Sequence, residues 1–297
     1  MRPATSALRL AYARRLAAPL GAAGRPIAAA FAAVPREAFL GPPPWRVFDG
    51  TDDTGTLTSD PADLYHDVLV VLSAGQGLNN GSPALHARLL HRLGVRPEER
   101  VLHVGAGTGY YTAILAELVG TAGRVTAVEF DPRLAAAARD NLRPWPQVML
   151  VQGDGADFPA EAVQRIYVSF ALAEPAAAWL DRLAPGGVLL FPLGAPDPAA
   201  TGAAARHSAR AAMLRVTRRG DGYGATFDQP VAFVFAAGPT AGDAALRAAV
   251  WAAFGHGDLA RVQSLHRRAL PDAAWISSPR FSLGFAPPQG HAPAQSH

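Results

Sequence analysis

Two hydrophobic periods alternate along this chain. Leu8, Tyr12 and Leu16 recur every four residues and predict an opening helix over 5–18. A second helix is expected from Pro26 to Val34, because proline suits a first helical position. Gly41-Pro42-Pro43-Pro44 breaks the chain. Residues 49–63, rich in Asp, Thr and Gly, read as a surface loop. Val68 to Leu72 is a short apolar, strand-like run ending at Gly75. Ser82-Pro83 then forms a helix start, with Leu85, Leu89, Leu90 and Leu93 as its apolar stripe and Gly94 and Pro97 as its stop.

From residue 101 the period switches repeatedly. Strands are expected at 101–104, 125–129, 148–152, 165–170 and 187–193, and helices at 110–119, 132–142 and 175–183. Helices between strands call for crossover connections and a largely parallel sheet. Pro185-Gly186-Gly187 reads as a tight turn into the last of these strands. Residues 195–210 read as a loop. Residues 211–217 and 229–236 read as two strands joined through Arg219 to Gly222, and 240–270 as a helical tail. The last dozen residues read as mobile. These divisions give an N-terminal segment (1–75), a core (76–236) and a C-terminal extension (237–297).

Composition narrows the function classes. Of 297 residues, 49% are hydrophobic and 17% charged, ample for a packed core. All 27 basic residues are arginines, scattered without an arginine-and-aromatic stripe, so nucleic acid is not an expected partner. The absence of cysteine excludes disulfides, thiolate metal sites and a cysteine nucleophile. No run approaches the roughly 20 apolar residues of a membrane span, so no membrane role is expected. The arginines and alanines before Pro19 and Gly21 read as a cytoplasmic N-terminal helix. The histidines show no metal-ligand spacing; His86 and His91 are five apart, not the four that share a helix face, and no metal site is expected.

The chemistry concentrates at Val101-Leu102-His103-Val104-Gly105-Ala106-Gly107-Thr108-Gly109-Tyr110. A glycine-rich turn between strand and helix brings backbone N–H groups close to a ligand at the positive helix end. The next strand ends at Glu129, 24 positions after Gly105, where a carboxylate can accept from two ribose hydroxyls. Phe130 follows it. The third strand runs into Gly153-Asp154-Gly155, where Asp154 reads either as a turn aspartate or as an acceptor for an adenine amino group. All lie at predicted carboxyl ends of strands, where open α/β sheets bind ligands.

These residues resemble the class I S-adenosylmethionine-dependent methyltransferases, and more narrowly the protein-L-isoaspartate O-methyltransferase family. Val34-Pro35-Arg36-Glu37-Ala38-Phe39 is similar to that family's N-terminal signature, and Tyr65-His66-Asp67 to its Tyr-Glu-Asp segment. Gly75-Gln76 followed by Pro83 resembles its Gly-Gln-Thr-Ile-Ser-x-Pro element. Arg165-Ile166-Tyr167-Val168-Ser169 and the stretch from Leu183 to Gly194 also fit. The resemblance implies a Rossmann-like α/β fold, with a mostly parallel central sheet flanked by helices, an N-terminal helical segment and a C-terminal helical extension. It implies S-adenosyl-L-methionine as cofactor, held by Gly105, Ala106, Gly107, Thr108, Gly109, Tyr110, Glu129, Phe130, Asp154, Gly155 and Ser169.

Two departures stand out. The family serine two residues before the proline is replaced: counting from Gln76 places Asn79 there, and counting from Pro83 places Gly81. Ser82 either substitutes for that serine or caps the helix. His103 stands where the family has an acidic residue. Asn79, Asn80, Ser82 and Tyr65 are the residues expected to line the acceptor. A carboxylate acceptor is ionised near neutral pH and attacks without a general base, which suits a chain with no visible catalytic triad. Three readings follow: methylation of an isoaspartyl or aspartyl carboxylate in a peptide or protein, methylation of a small molecule on the same fold, or cofactor binding without transfer.

Overall fold

The computed structural model describes residues 5–49, 55–73, 77–202, 204–271 and 274–288. The Gly75-Gln76 half of the acceptor element, residues 50–54 of the expected surface loop, and 289–297 of the expected mobile end lie outside them. The chain divides into two compact units, Met1–Gly153 and Asp154–His297.

The first unit opens with helices α1 (Thr5–Ala17) and α2 (Arg25–Ala33), joined through a 3-10 segment. The stretch Thr5–Ala33 is long and apolar enough, by length and composition, to cross a membrane, where the sequence reading expected no such run. Gly21 breaks it at φ 61, and the two helices pack on one another. Tyr12, Leu16, Ile27 and Phe31 are buried. Four short strands follow within the first unit: β1 (Trp45–Phe48), β2 (Thr56–Thr58), β3 (Leu69–Ser73) and β4 (Leu78–Asn79). They form an antiparallel sheet in the order β2-β1-β3-β4, so β2 occupies part of the stretch expected to be loop. Leu40, Trp45, Leu64, Val68 and Val70 make a small core there.

Helix α3 (Pro83–Leu93) starts and stops on the expected signals. Ser82 Oγ accepts from the Leu85 N–H (3.1 Å), and Gly94 closes the helix at φ 66. The parallel portion follows as β5 (Arg100–Val104), α4 (Tyr110–Val119), β6 (Arg124–Glu129), α5 (Pro132–Asn141) and β7 (Val148–Gln152). β5 pairs with β6, and β6 with β7, in parallel register. Val101, Leu102, Val125, Ala127 and Val128 are buried, as strands covered on both faces require.

The second unit carries β8 (Val163–Val168), α6 (Ala177–Asp181), β9 (Leu183–Ala195), β10 (Arg210–Arg219), β11 (Gly222–Pro230), α7 (Ala244–His256), β12 (Ser264–His266), β13 (Ala274–Ser277) and β14 (Ser282–Gly284). β8 and β9 are parallel, and the remaining pairs are antiparallel in the order β9-β10-β11-β12-β14-β13. Three expectations change here. Pro185-Gly186-Gly187 is a bulge inside β9 rather than a turn before it, since the register jumps from Leu183 to Val188. The second hairpin strand begins at Gly222 rather than 229, because Gly220 closes a tight turn at φ 57. The C-terminal helix stops at His256: Gly257 and Asp258 both take positive φ, and the chain returns as three strands. Trp275 on β13 then packs against Phe227 and Phe254, with centroids 5.0 Å from each.

One buried charge organises the first unit. The wholly buried Arg36 guanidinium donates through Nη1 to the carbonyls of Leu64 (2.6 Å) and His66 (3.2 Å). Through Nη2 it donates to the Val68 carbonyl (2.6 Å) and to Asn80 Oδ1 (3.1 Å). The segment 64–68 is irregular, so its carbonyls have no ladder partners, and a fork of donors satisfies them together. Leaving those buried acceptors unpaired costs about 1–3 kcal/mol each. Arg36→Leu is therefore expected to lower the unfolding free energy by at least about 3 kcal/mol in urea titration; a loss below about 1 kcal/mol would contradict this role.

Candidate functional site

The carboxyl ends of β5, β6 and β7 meet at one residue of the first unit. Glu129 ends β6. Its backbone carbonyl accepts from Gly153 N–H (3.0 Å), just past β7. Its side chain accepts from Gly107 N–H through Oε2 (2.7 Å) and from Asp131 N–H through Oε1 (2.9 Å). The Val128 carbonyl accepts from both Gly105 (2.9 Å) and Ala106 (3.1 Å). The glycine turn is thus folded back over the end of β6. On its far side Asn141 Nδ2 donates to the Thr108 carbonyl (2.9 Å), tying it to α5.

The glycines have separate reasons. Gly105, Gly107 and Gly109 take φ values of 77, 59 and 98, a region costly for other residues. At Gly109 a Cβ would also press on Leu142 at 3.0 Å. At Gly107 it would meet nothing within 4 Å and would stand in open space. That space is the approach a ligand needs. Gly109 also leaves α4 without a side-chain cap, so the positive end of the helix faces the same turn.

Glu129 is 7% exposed and accepts only backbone N–H groups. Burial pushes its pKa up, opposed by the hydrogen bonds from Asp131 and Gly107. With Gly107 on one oxygen and Asp131 on the other, the two oxygens have about four lone pairs between them and keep acceptor capacity for a hydroxyl. Phe130, the next residue, is 51% exposed, an uncommon position for a large apolar ring and a ready face for a flat heterocycle. The groups present therefore fit an adenosyl ligand: a carboxylate for a diol, an aromatic face, and glycine backbone in open space.

Other expected residues have different placements. Asp154 and Gly155 open the second unit, where Asp154 Oδ1 accepts from Ala156 N–H (2.9 Å) and caps a 3-10 turn. Ser169 follows β8 in that unit and hydrogen-bonds the Tyr167 hydroxyl. Tyr110, the first residue of α4, is buried among Phe31 and Phe39 and supports the turn from behind.

Two residues of the expected acceptor wall are packed into the core. Tyr65 is buried, and its hydroxyl donates to Glu37. Asn80 is buried as well; its Oδ1 accepts from Arg36 and from Val70 N–H (3.0 Å). Both side chains pack into the core, although the buried Asn80 Nδ2 has no hydrogen-bond partner among the described residues. Asn79 Oδ1 accepts from Gly81 N–H (2.9 Å) and shapes the turn. Ser82 caps α3 and donates to Asp67 Oδ1 (2.7 Å), and Asp67 also accepts from Ala84 N–H (2.9 Å). Asp67, not singled out from sequence, thus belongs to the exposed rim; the signal was its place in Tyr65-His66-Asp67. His103 is a core histidine: its Nδ1 lies 2.8 Å from Thr112 Oγ1, and burial lowers its pKa to about 3. Among the described residues no cluster of His, Asp and Glu could hold a metal.

The sequence model of the family described as protein-L-isoaspartate (D-aspartate) O-methyltransferase matches residues 57–217. A protein-L-isoaspartate O-methyltransferase of Aeropyrum pernix is 44% identical over 131 residues, covering 42% of this chain and 50% of the relative. One from Bradyrhizobium sp. (strain ORS 278) is 34% identical over 169 residues, covering 56% and 71%. The chain thus spans half the length of the first relative and about seven-tenths of the second. Among solved structures, a protein-L-isoaspartate O-methyltransferase superposes with a TM-score of 0.61 at 23% identity, over 77% of this chain and 67% of that one. A Plasmodium falciparum protein of the same name, in complex with S-adenosyl-L-homocysteine, gives 0.57 at 17% identity, over 76% and 96%. These structural likenesses are of fold.

A buried acid with a raised pKa destabilises the folded state more as it ionises. Glu129 therefore contributes least penalty below the ordinary glutamate range and most above its own raised value. In urea titrations from about pH 4 to pH 7, the stability of Glu129→Gln relative to wild type should shift in the variant's favour as pH rises through that window. A difference that is flat in pH would show that Glu129 carries no such penalty.

Proposed function

The chain belongs to the protein-L-isoaspartate (D-aspartate) O-methyltransferase family, and from that premise we propose that it methylates the carboxylate of an isoaspartyl or aspartyl residue in a peptide or protein, with S-adenosyl-L-methionine as donor. A cytoplasmic setting is part of the same reading. The observation that carries it is the family match over 57–217, which spans both the glycine turn and the Asn79–Pro83 loop.

When bound, the donor supplies an electrophilic methyl group on a sulfonium. Glu129 would hold its ribose hydroxyls, Phe130 would lie against its adenine, and the Gly105–Gly109 backbone would pass close beside it. The acceptor carboxylate is already ionised near neutral pH, so the chain need not remove a proton. His86 and His103 are buried and neutral, with pKa values lowered to about 3, and take no part as bases. What remains for the protein is to exclude water and to hold the carboxylate oxygen in line with the methyl group, which is worth several orders of magnitude in rate. Asp67 and Ser82 form the exposed polar rim of the acceptor side. The replacement of the family serine by Asn79 or Gly81 favours one second reading, a small-molecule carboxylate acceptor.

Radiolabelled donor offered with an isoaspartyl peptide and its aspartyl twin separates these. Base-labile label on the isoaspartyl peptide is the expected result. Label on neither, with donor still bound in calorimetry, would overturn the acceptor assignment. On the donor side, Gly107→Val should weaken donor binding at least about tenfold while lowering stability by only about 1–2 kcal/mol. Unchanged donor affinity would remove the glycine turn from the site.

A further inference from the structure

Residues of α3, α4 and the Asn79–Ser82 turn converge on one place in the first unit. His86 lies in the first turn of α3, and Tyr111 in the first turn of α4, two residues after the glycine turn. Their rings are stacked, with centroids 3.6 Å apart and planes inclined by 10°. The Tyr111 hydroxyl donates to the Gly81 carbonyl (3.4 Å). Gly81 takes φ 72, and a Cβ on it would fall 2.3 Å from His86 Nε2, so the Asn79–Ser82 turn rests directly on the imidazole. His86 N–H also donates to the Ser82 carbonyl (3.0 Å). His103, in place of the family acid, is close enough to His86 to affect its protonation and bonds Thr112 of α4.

We propose that Tyr111 and His86 are positioning residues for methyl transfer. Their stacked rings form a strut that sets the Asn79–Ser82 turn at a fixed distance from the glycine turn, and so fixes the acceptor relative to the donor. This chain has a glycine at Gly81 and supports the loop from beneath with two aromatic rings. A stack is suited to the task because it is stiff in separation and loses little rotamer freedom on ordering. The strut touches neither reacting group, so its removal should alter alignment and leave donor binding in place. The proposal rests on the methyltransferase reading above.

The test compares Tyr111→Leu, Tyr111→Phe and His86→Leu in the full chain. Three quantities are read for each: donor Kd by calorimetry, kcat and KM on the isoaspartyl peptide, and amide hydrogen exchange across 77–82. Misplacement by about 1 Å can cost 100-fold in rate, so Tyr111→Leu should lower kcat by about 10- to 100-fold with donor Kd within about twofold. Exchange across 77–82 should quicken by about tenfold while the β5 and β6 amides stay protected. Tyr111→Phe keeps the stacked ring and should rescue most of kcat. A kcat change below about twofold in both leucine variants overturns the proposal, as does a donor Kd that weakens in step with kcat. If Tyr111→Leu does not fold, His86→Leu carries the same readouts. If wild type methylates no peptide, the peptide-acceptor reading fails on that result alone. The exchange arm then decides the strut separately: faster exchange confined to 77–82 supports it, and unchanged exchange overturns it.

Discussion

Everything at the candidate site hangs on one carboxylate and the backbone N–H groups it accepts from. Glu129 joins the glycine turn after β5, the cap of α5 after β6 and, through its own carbonyl, the residue that follows β7. Three strand ends would otherwise leave unpaired N–H groups at the rim of the sheet. Glu129 satisfies two of them with side-chain oxygens and a third with its backbone. The charge is buried to do so, and its raised pKa records that desolvation is only partly offset. Under the proposed function, the group that closes the turn is also the group that would meet the donor, with the acceptor capacity its backbone bonds leave unused.

A second constraint fixes the other side of the unit. Arg36 gathers the carbonyls of 64, 66 and 68 and the side chain of Asn80. Tyr12, Phe31, Phe39, Tyr65 and Tyr110 pack edge to face around it, linking α1 and α2 to the first residue of α4. The N-terminal helices are therefore the back wall on which the glycine turn and the acceptor loop are both mounted.

The sequence made some of this legible and hid the rest for physical reasons. Helices α3 and α5 announce themselves because their caps are local: Ser82 with Pro83, and Asp131 with Pro132, need no distant partner. The glycine turn and Glu129 are legible for the same reason, since spacing along strand, turn and helix determines them. β1, β2, β4 and the three C-terminal strands are two to four residues long, and strands that short exist only through their neighbours. The direction of a side chain was also hidden. Asn79 and Asn80 are chemically equivalent in sequence, but in extended chain consecutive residues face opposite ways, and Asn80 is the one turned to Arg36. Arg36 itself reads as surface by type; only the irregular backbone of 64–68 explains why it is buried.

The two sides of the site are built from different materials, and this bears on which can diverge. The donor side is made of backbone N–H groups, glycine conformations and one carboxylate, whose geometry tolerates almost no exchange of residue type. The proposed acceptor side is a short turn resting on an imidazole stacked on a phenol ring, with a glycine that fits over them. Side-chain packing of that kind can be rebuilt by compensating substitutions, provided volume and shape are kept. Replacement of the loop serine together with an imidazole at position 103 is what such a rebuilding looks like. The donor turn beside it keeps all three of its glycines. Under the proposed function, the element open to such rebuilding is the one that aligns the acceptor, while the glycine turn is held by backbone conformation.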